Sequence, residues 1–144
     1  MVKKMFLMLI CFISLTIFIS TLHGQGSKKT ITLPNGEVIW DLNGEWDAQY
    51  EALGALSNIG KFADILKVTQ QGDSFVGIKT IGSTSVPKDA VSIKGELDKN
   101  GIKKVRVVII LGQDGEECKG QISEDGNKII IDGCVNVRVT LTRK

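Results

Sequence analysis

The chain has 144 residues, enough for one domain with one hydrophobic core, and 42% of them are hydrophobic. Its formal charge of +2 equals the contribution of Lys3 and Lys4 alone. The remainder is neutral with both signs interspersed, which excludes the electrostatic footprint of a nucleic-acid or anionic-membrane binder.

Lys3 and Lys4 precede an apolar run over residues 5–22, and the small residues Gly24 and Gly26 follow it. A basic start, an apolar stretch and small residues beyond it describe a secretory signal peptide over residues 1–26, cleaved after Gly24 or Gly26. The run is also long enough to act as an uncleaved membrane anchor. A lipid-modified N-terminus would need a cysteine just past the run, whereas Cys11 lies inside it. The expectation is an exported protein, periplasmic or extracellular, with one domain over residues 27–144.

After a polar lead-in over 27–30, residues 30–33 and 37–40 suit a short hairpin about Pro34-Asn35-Gly36, because Asn-Gly is a strong turn signal. A second turn at 41–44 leads into a strand over 45–51. There Trp46, Ala48 and Tyr50 alternate with Glu45, Asp47, Gln49 and Glu51, a period that puts apolar side chains on one sheet face. Over 52–64 the pattern changes. Leu53, Leu56, Ile59 and Phe62 recur at three-residue spacing, which suits one or two helical turns with an apolar stripe. Gly54 and Gly60 argue equally for a lid-like loop.

From residue 65 the pattern is a meander. Strands are expected over 65–71, 74–81, 90–97, 102–111, 116–123, 128–132 and 134–143, with a polar loop over 82–89 and short turns elsewhere. In the last of these, Val135, Val137, Val139 and Leu141 alternate with polar residues. Eight strands at roughly even spacing with short turns are the signature of an all-β sandwich or barrel, and the expectation is an eight-stranded antiparallel up-and-down barrel. Its inner face would run from Trp46 and Tyr50 through Val91, Ile93 and Val105 to Val139. The strand over 102–111 is apolar on both faces near its end. That implies a covering segment, such as 52–64, or a protein contact.

Cys118 and Cys134 are the two cysteines left once the leader is removed. In an oxidising compartment such a pair is read first as a disulfide. Folding the chain about the turn at Asp125-Gly126 sets residue 118 opposite residue 133, and one residue of bulge aligns it with Cys134. A reactive thiol pair is the other reading.

Gly44-Glu45-Trp46 at the first barrel strand, with Arg138 or Arg143 near the end of the last, resembles the lipocalin and calycin group. The resemblance implies a barrel whose first-strand Gly-x-Trp is covered by an arginine from near the chain end. The run from Ile65 to Phe75 is also similar to the second strand and turn of fatty-acid-binding proteins.

Chemistry is read as much from what the sequence lacks. The single histidine, His23, lies in or beside the leader. Its removal excludes Ser-His-Asp and Cys-His hydrolases, His-ligated zinc and histidine acid–base catalysis. Glu45, Asp47 and Glu51 share a strand face and so suggest a carboxylate pair, but Trp46, Ala48 and Tyr50 claim the inner face and leave these three to solvent. Asp114, Glu116 and Glu117 offer oxygen ligands to a hard cation at spacings that match no EF-hand loop. No catalytic residue, metal or cofactor is assigned.

The expected function is a non-enzymatic exported barrel that binds a small apolar or amphipathic molecule in its interior. Tyr50, Phe62, Leu66, Val68, Ile93, Val107, Ile131 and Val137 would contact the ligand, and Lys67 or Thr69, if they point inward, would orient it. Trp46 would plug one end beneath Arg138 or Arg143. The alternative is a filled barrel that acts as an envelope scaffold or inhibitor through a protein partner on its outer surface and loops.

Overall fold

Residues that alternate apolar and polar along Gly44–Ala52 form a strand whose burial alternates in step, with Trp46, Ala48, Tyr50 and Ala52 inside. It lies in a computed structural model that describes residues 29–84, 86–109 and 112–144. The expected leader and its cleavage site, together with the strand end at residues 110–111, lie outside the described residues.

The strands in chain order are β1 (Thr30–Thr32), β2 (Val38–Trp40), β3 (Gly44–Ala52), β4 (Lys61–Gln71), β5 (Ser74–Lys79), β6 (Val91–Asp98), β7 (Gly101–Val107), β8 (Glu116–Ile122), β9 (Lys128–Asp132) and β10 (Val137–Arg143). The first two pair as a small hairpin, and the other eight form a closed antiparallel barrel in which each pairs with its sequence neighbour. Closure comes from β10 running beside β3, with Val137 opposite Ala52 and Arg143 opposite Trp46. A closed barrel leaves no unpaired sheet edge for another chain to extend. Its architecture is consistent with a lipocalin-like fold.

Three features differ from the sequence expectation. The stripe Leu53, Leu56, Ile59 and Phe62 is not one helix: a 3-10 helix spans Gly54–Ile59, and Phe62 already belongs to β4. Gly60, at φ 76°, breaks the helix and lets the chain turn back along β3. Val91 is 36% exposed rather than inside, because the β5–β6 register shifts: Gly77 faces Ile93, then Ile78 faces Val91. The skipped residue, Ser92, is buried beside Ile93, as a β-bulge allows. Cys134 and Val135, expected at the start of the last strand, lie in the loop before β10, and Val135 is exposed.

The two ends of the barrel are built differently. At one end the strands are joined by tight turns, and the β1–β2 hairpin lies across the opening with Ile39 and Leu42 buried beneath it. Gln70 fastens this cover: its side chain accepts from the Leu42 N–H (2.7 Å) and donates to the Trp40 carbonyl (3.0 Å). The indole of Trp46 is fully buried and donates to the Leu42 carbonyl at 2.9 Å. The Arg143 guanidinium stacks 4.3 Å from the Trp46 ring and donates to the carbonyls of Asp41 (2.6 Å) and Asn43 (2.9 Å). Arg138 has no part in this plug. It falls between the inward Val137 and Val139, faces outward, and pairs with Glu51 at 3.3 Å.

The other end carries the longer connections, over 53–60, 80–90, 108–115 and 133–136. Cys118 and Cys134 are disulfide-bonded there, with Cα atoms 4.7 Å apart. The β8–β9 ladder ends at Lys119 opposite Asp132, and Gly133, at φ 70°, supplies the extra residue that brings Cys134 to Cys118. Closing this loop, with a sequence separation of 16, contributes about 3 kcal/mol by restricting the unfolded chain.

Trp46→Ala should lower stability by about 3–5 kcal/mol, since the buried ring leaves a cavity that the hairpin cover cannot fill. Arg143→Ala should cost less, about 1.5–3 kcal/mol, for the lost charged hydrogen bonds. Urea unfolding of both variants checks the ranking; an Arg143→Ala more damaging than Trp46→Ala would contradict it.

Candidate functional site

Inward positions on β4 and β5 set the character of the open end. Asp64 is in phase with Leu66, Val68 and Gln70, and Lys79 is in phase with Phe75 and Gly77, so both ionisable side chains point into the barrel. They meet as a salt bridge, Lys79 Nζ to Asp64 Oδ2 at 3.2 Å, with each side chain 2% exposed or less. Burying two charges is tolerated only where each finds a full set of partners.

Asp64 is well supplied. Its Oδ1 accepts from the N–H of Ile65 (2.7 Å) and Ile81 (3.3 Å), and its Oδ2 accepts from Gly82 N–H (3.0 Å). These bonds also tie the 80–90 connection to β4, helped by Thr80, whose N–H and hydroxyl both donate to the Ile65 carbonyl. Lys79 is clamped on its other side by aromatic rings. Its Nζ lies 4.6 Å from the Tyr50 ring centroid and 5.4 Å from that of Phe62, and the two rings stack at 4.8 Å. A cation against two ring faces is electrostatically favourable, the more so when shielded from water.

The Tyr50 hydroxyl is 2.8 Å from Ser92 Oγ, the bulge residue. Burial pushes the phenol well above its ordinary value of 10.0; the Ser92 hydrogen bond opposes the shift, and the nearby Asp64 charge adds to it. Tyr50 is thus a neutral donor or acceptor, not a phenolate.

Above this polar group opens a cavity of about 380 Å³ at the mouth. Its floor and walls include Tyr50, Phe62, Asp64 and Lys79, with Ala52, Val107 and Val137 from the barrel. Leu56 and Ile59 of the 3-10 helix, Val86 of the 80–90 connection, and Val108 and Ile109 after β7 close in from the rim. Val86, although in a loop, is buried, and that connection folds inward through Ser83 N–H to the Val86 carbonyl (2.8 Å). Asn136, at the rim, donates from its backbone N–H to Glu116 Oε2 (3.0 Å) and from its side chain to Oε1 of the same residue. This bond and the disulfide both join β8 to the β9–β10 connection.

Of the residues expected to contact a ligand, Tyr50, Phe62, Val107 and Val137 line this cavity. Leu66, Val68, Ile93 and Ile131 do not. They are fully buried in the packed interior below it, where the barrel is filled by its own side chains. Lys67 and Thr69 face outward. Lys79 and Asp64 also line the cavity and are not among the contacts expected from sequence. Asp64 continues the inward phase of Leu66 and Val68, but the three-residue apolar spacing over 52–64 points instead to a helix or loop.

The carboxylates on the outer face of β3 are surface groups: Glu51 pairs with Lys61 (3.5 Å) and Arg138, and Glu45 lies 3.9 Å from Lys144. Glu116 is engaged by Asn136, and Glu117 by Arg106 at 3.4 Å. Among the described residues no group of three or more His, Cys, Asp or Glu side chains is placed to hold a metal ion. No protein-family model, no curated protein and no solved structure gives a significant match to this chain.

Two outcomes follow from the buried group. Lys79→Met strands the Asp64 carboxylate and should cost about 3–5 kcal/mol in denaturant unfolding, whereas the double variant Lys79→Met/Asp64→Leu should cost less than the sum of its parts. Additive losses would mean the pair is not coupled. Tyr50 is the chain's one tyrosine, so phenolate absorbance reports it alone. Its raised folded value stabilises the barrel below about pH 10, and that contribution is lost as pH rises toward the folded value. Phenolate should therefore appear only with alkaline unfolding; ionisation near pH 10 in an intact barrel would contradict its burial.

Proposed function

We propose that this protein is an exported, non-enzymatic barrel that holds a small amphipathic molecule at its open end, as lipocalin-like proteins would. The cavity carries the proposal. It is concave, walled mainly by apolar side chains, and has a few polar groups fixed at its floor, the composition expected of a small-ligand site. Its volume lies within the roughly 300–1,000 Å³ range of such sites. Binding would be driven by burial of apolar ligand surface at about 25 cal/mol per Å², and the floor would orient the molecule.

The filled lower interior restricts the ligand to the mouth. A molecule threaded through the whole barrel would have to displace Leu66, Val105 and Ile131, each fully buried. Export is supported by the apolar run over 5–22 behind two lysines and by the disulfide, which persists in an oxidising compartment. Among the described residues no helix is long and apolar enough to cross a membrane.

A second reading, a partner protein at the same end, is favoured by the exposed apolar rim residues Ile59, Ile81 and Val135.

The test is native mass spectrometry of the exported protein, purified without detergent from the cells that make it. An adduct of roughly a few hundred daltons is expected, and it should be lost in Ala52→Trp, whose indole would occupy the cavity. A bare protein that also fails to enhance the fluorescence of an apolar dye would reject ligand binding and leave the partner protein.

A further inference from the structure

The polar floor of the cavity makes a choice among ligands, and the choice rests on the proposed binding role. Lys79 and Asp64 form a closed pair of opposite unit charges, fully buried and 3.2 Å apart. Asp64 is held by three backbone N–H groups as well as by the lysine, so it cannot swing away to make room for another anion. Lys79 is confined between this carboxylate and the Tyr50 and Phe62 rings. The other polar side chains that line the cavity, Tyr50, Ser83, Thr84 and Asn136, are uncharged, and the Tyr50 hydroxyl is paired with Ser92 behind the lining.

From these contacts we infer that the cavity selects a molecule with no net charge, carrying a hydroxyl or carbonyl oxygen that meets the floor at Lys79 and Tyr50. A carboxylate headgroup at the floor would leave the buried group with one negative charge in excess, and an ammonium headgroup with one positive. Either excess is costly where water is excluded. An uncharged oxygen acceptor draws on the ammonium donors of Lys79 or on the Tyr50 hydroxyl and leaves the charge balance intact. The floor thus matches fatty alcohols, esters and ketones, and discriminates against free fatty acids and alkylamines of the same length. Discrimination of this kind works through the penalty on the wrong headgroup as much as through attraction of the right one.

The test is calorimetric titration of the purified, disulfide-bonded protein with three probes of one chain length, decanol below its solubility limit and decanoate and decylammonium below their micelle concentrations, at neutral pH. Decanol should bind at least about tenfold more tightly than either ion. Asp64→Asn, which removes the counter-charge of Lys79, should reverse the order of decanol and decanoate. Decanoate or decylammonium binding as tightly as decanol to the unaltered protein would overturn the selection while leaving the cavity as a binding site. Failure of all three to bind would overturn the cavity's binding role and the selection with it. The ranking on the unaltered protein decides the matter even if Asp64→Asn does not fold.

Discussion

The seam between β3 and β10 is the constraint on which the rest of the molecule depends. It joins the first barrel strand to the last, across most of the chain, and its register decides what meets at each end. With Arg143 opposite Trp46, the last guanidinium of the chain arrives over the first-strand indole, within reach of the Asp41 and Asn43 carbonyls. With Val137 opposite Ala52 at the other end, Asn136 and the 3-10 helix border the same mouth. A slip of one residue would turn every side chain of β10 to the other face and put Arg138 and Thr140 into the core. The inward series Val137, Val139 and Leu141, all buried, holds the register in place.

Stability and opportunity are separated along the barrel axis. The covered end has tight turns, a filled interior and a tryptophan whose donor and faces are all occupied. The mouth has long connections, a disulfide and a cavity. Cross-linking β8 to the β9–β10 connection ties the rim to the barrel wall. Each end also buries a cation, and the two are treated differently. Arg143 is half-buried and meets backbone carbonyls and a ring face. Lys79 is fully buried and has a carboxylate of its own. A positive charge in the deeper, drier position needs a full counter-charge, whereas the arginine nearer the surface is met by carbonyl dipoles and a ring face.

The barrel itself was legible because strand after strand repeats a two-residue period bounded by turn residues, and one buried face follows from that alone. Trp46 and the Cys118–Cys134 bridge were legible too: alternation places the indole inside, and counting about the Asp125-Gly126 turn brings Cys118 within one bulge residue of Cys134. Phase also separates the two candidate arginines, since Arg143 shares the odd-numbered inward series of β10 and Arg138 does not. What periodicity could not show was the bulge at Ser92, which breaks the phase of β6 and turns Val91 out. Nor could it show that Lys79 lies inside, because lysine is ordinarily a surface residue and its partner Asp64 sits in a segment whose spacing imitates a helix. The charged pair becomes visible only when β4 and β5 are set side by side.

That blind spot coincides with the site. An apolar core position is over-determined by pattern, and its occupant can be exchanged for another side chain of similar volume at small cost. A buried lysine with a carboxylate partner gains little net stability over an apolar pair of the same size. Its presence is therefore hard to explain by folding alone. The pair sits on the cavity floor rather than in the filled half of the barrel, directly beneath the space that a guest would occupy. Two charges that add little to the fold but fix the polarity of a cavity floor at the mouth are, under the proposed binding role, accounted for by what the barrel would admit rather than by what holds it together.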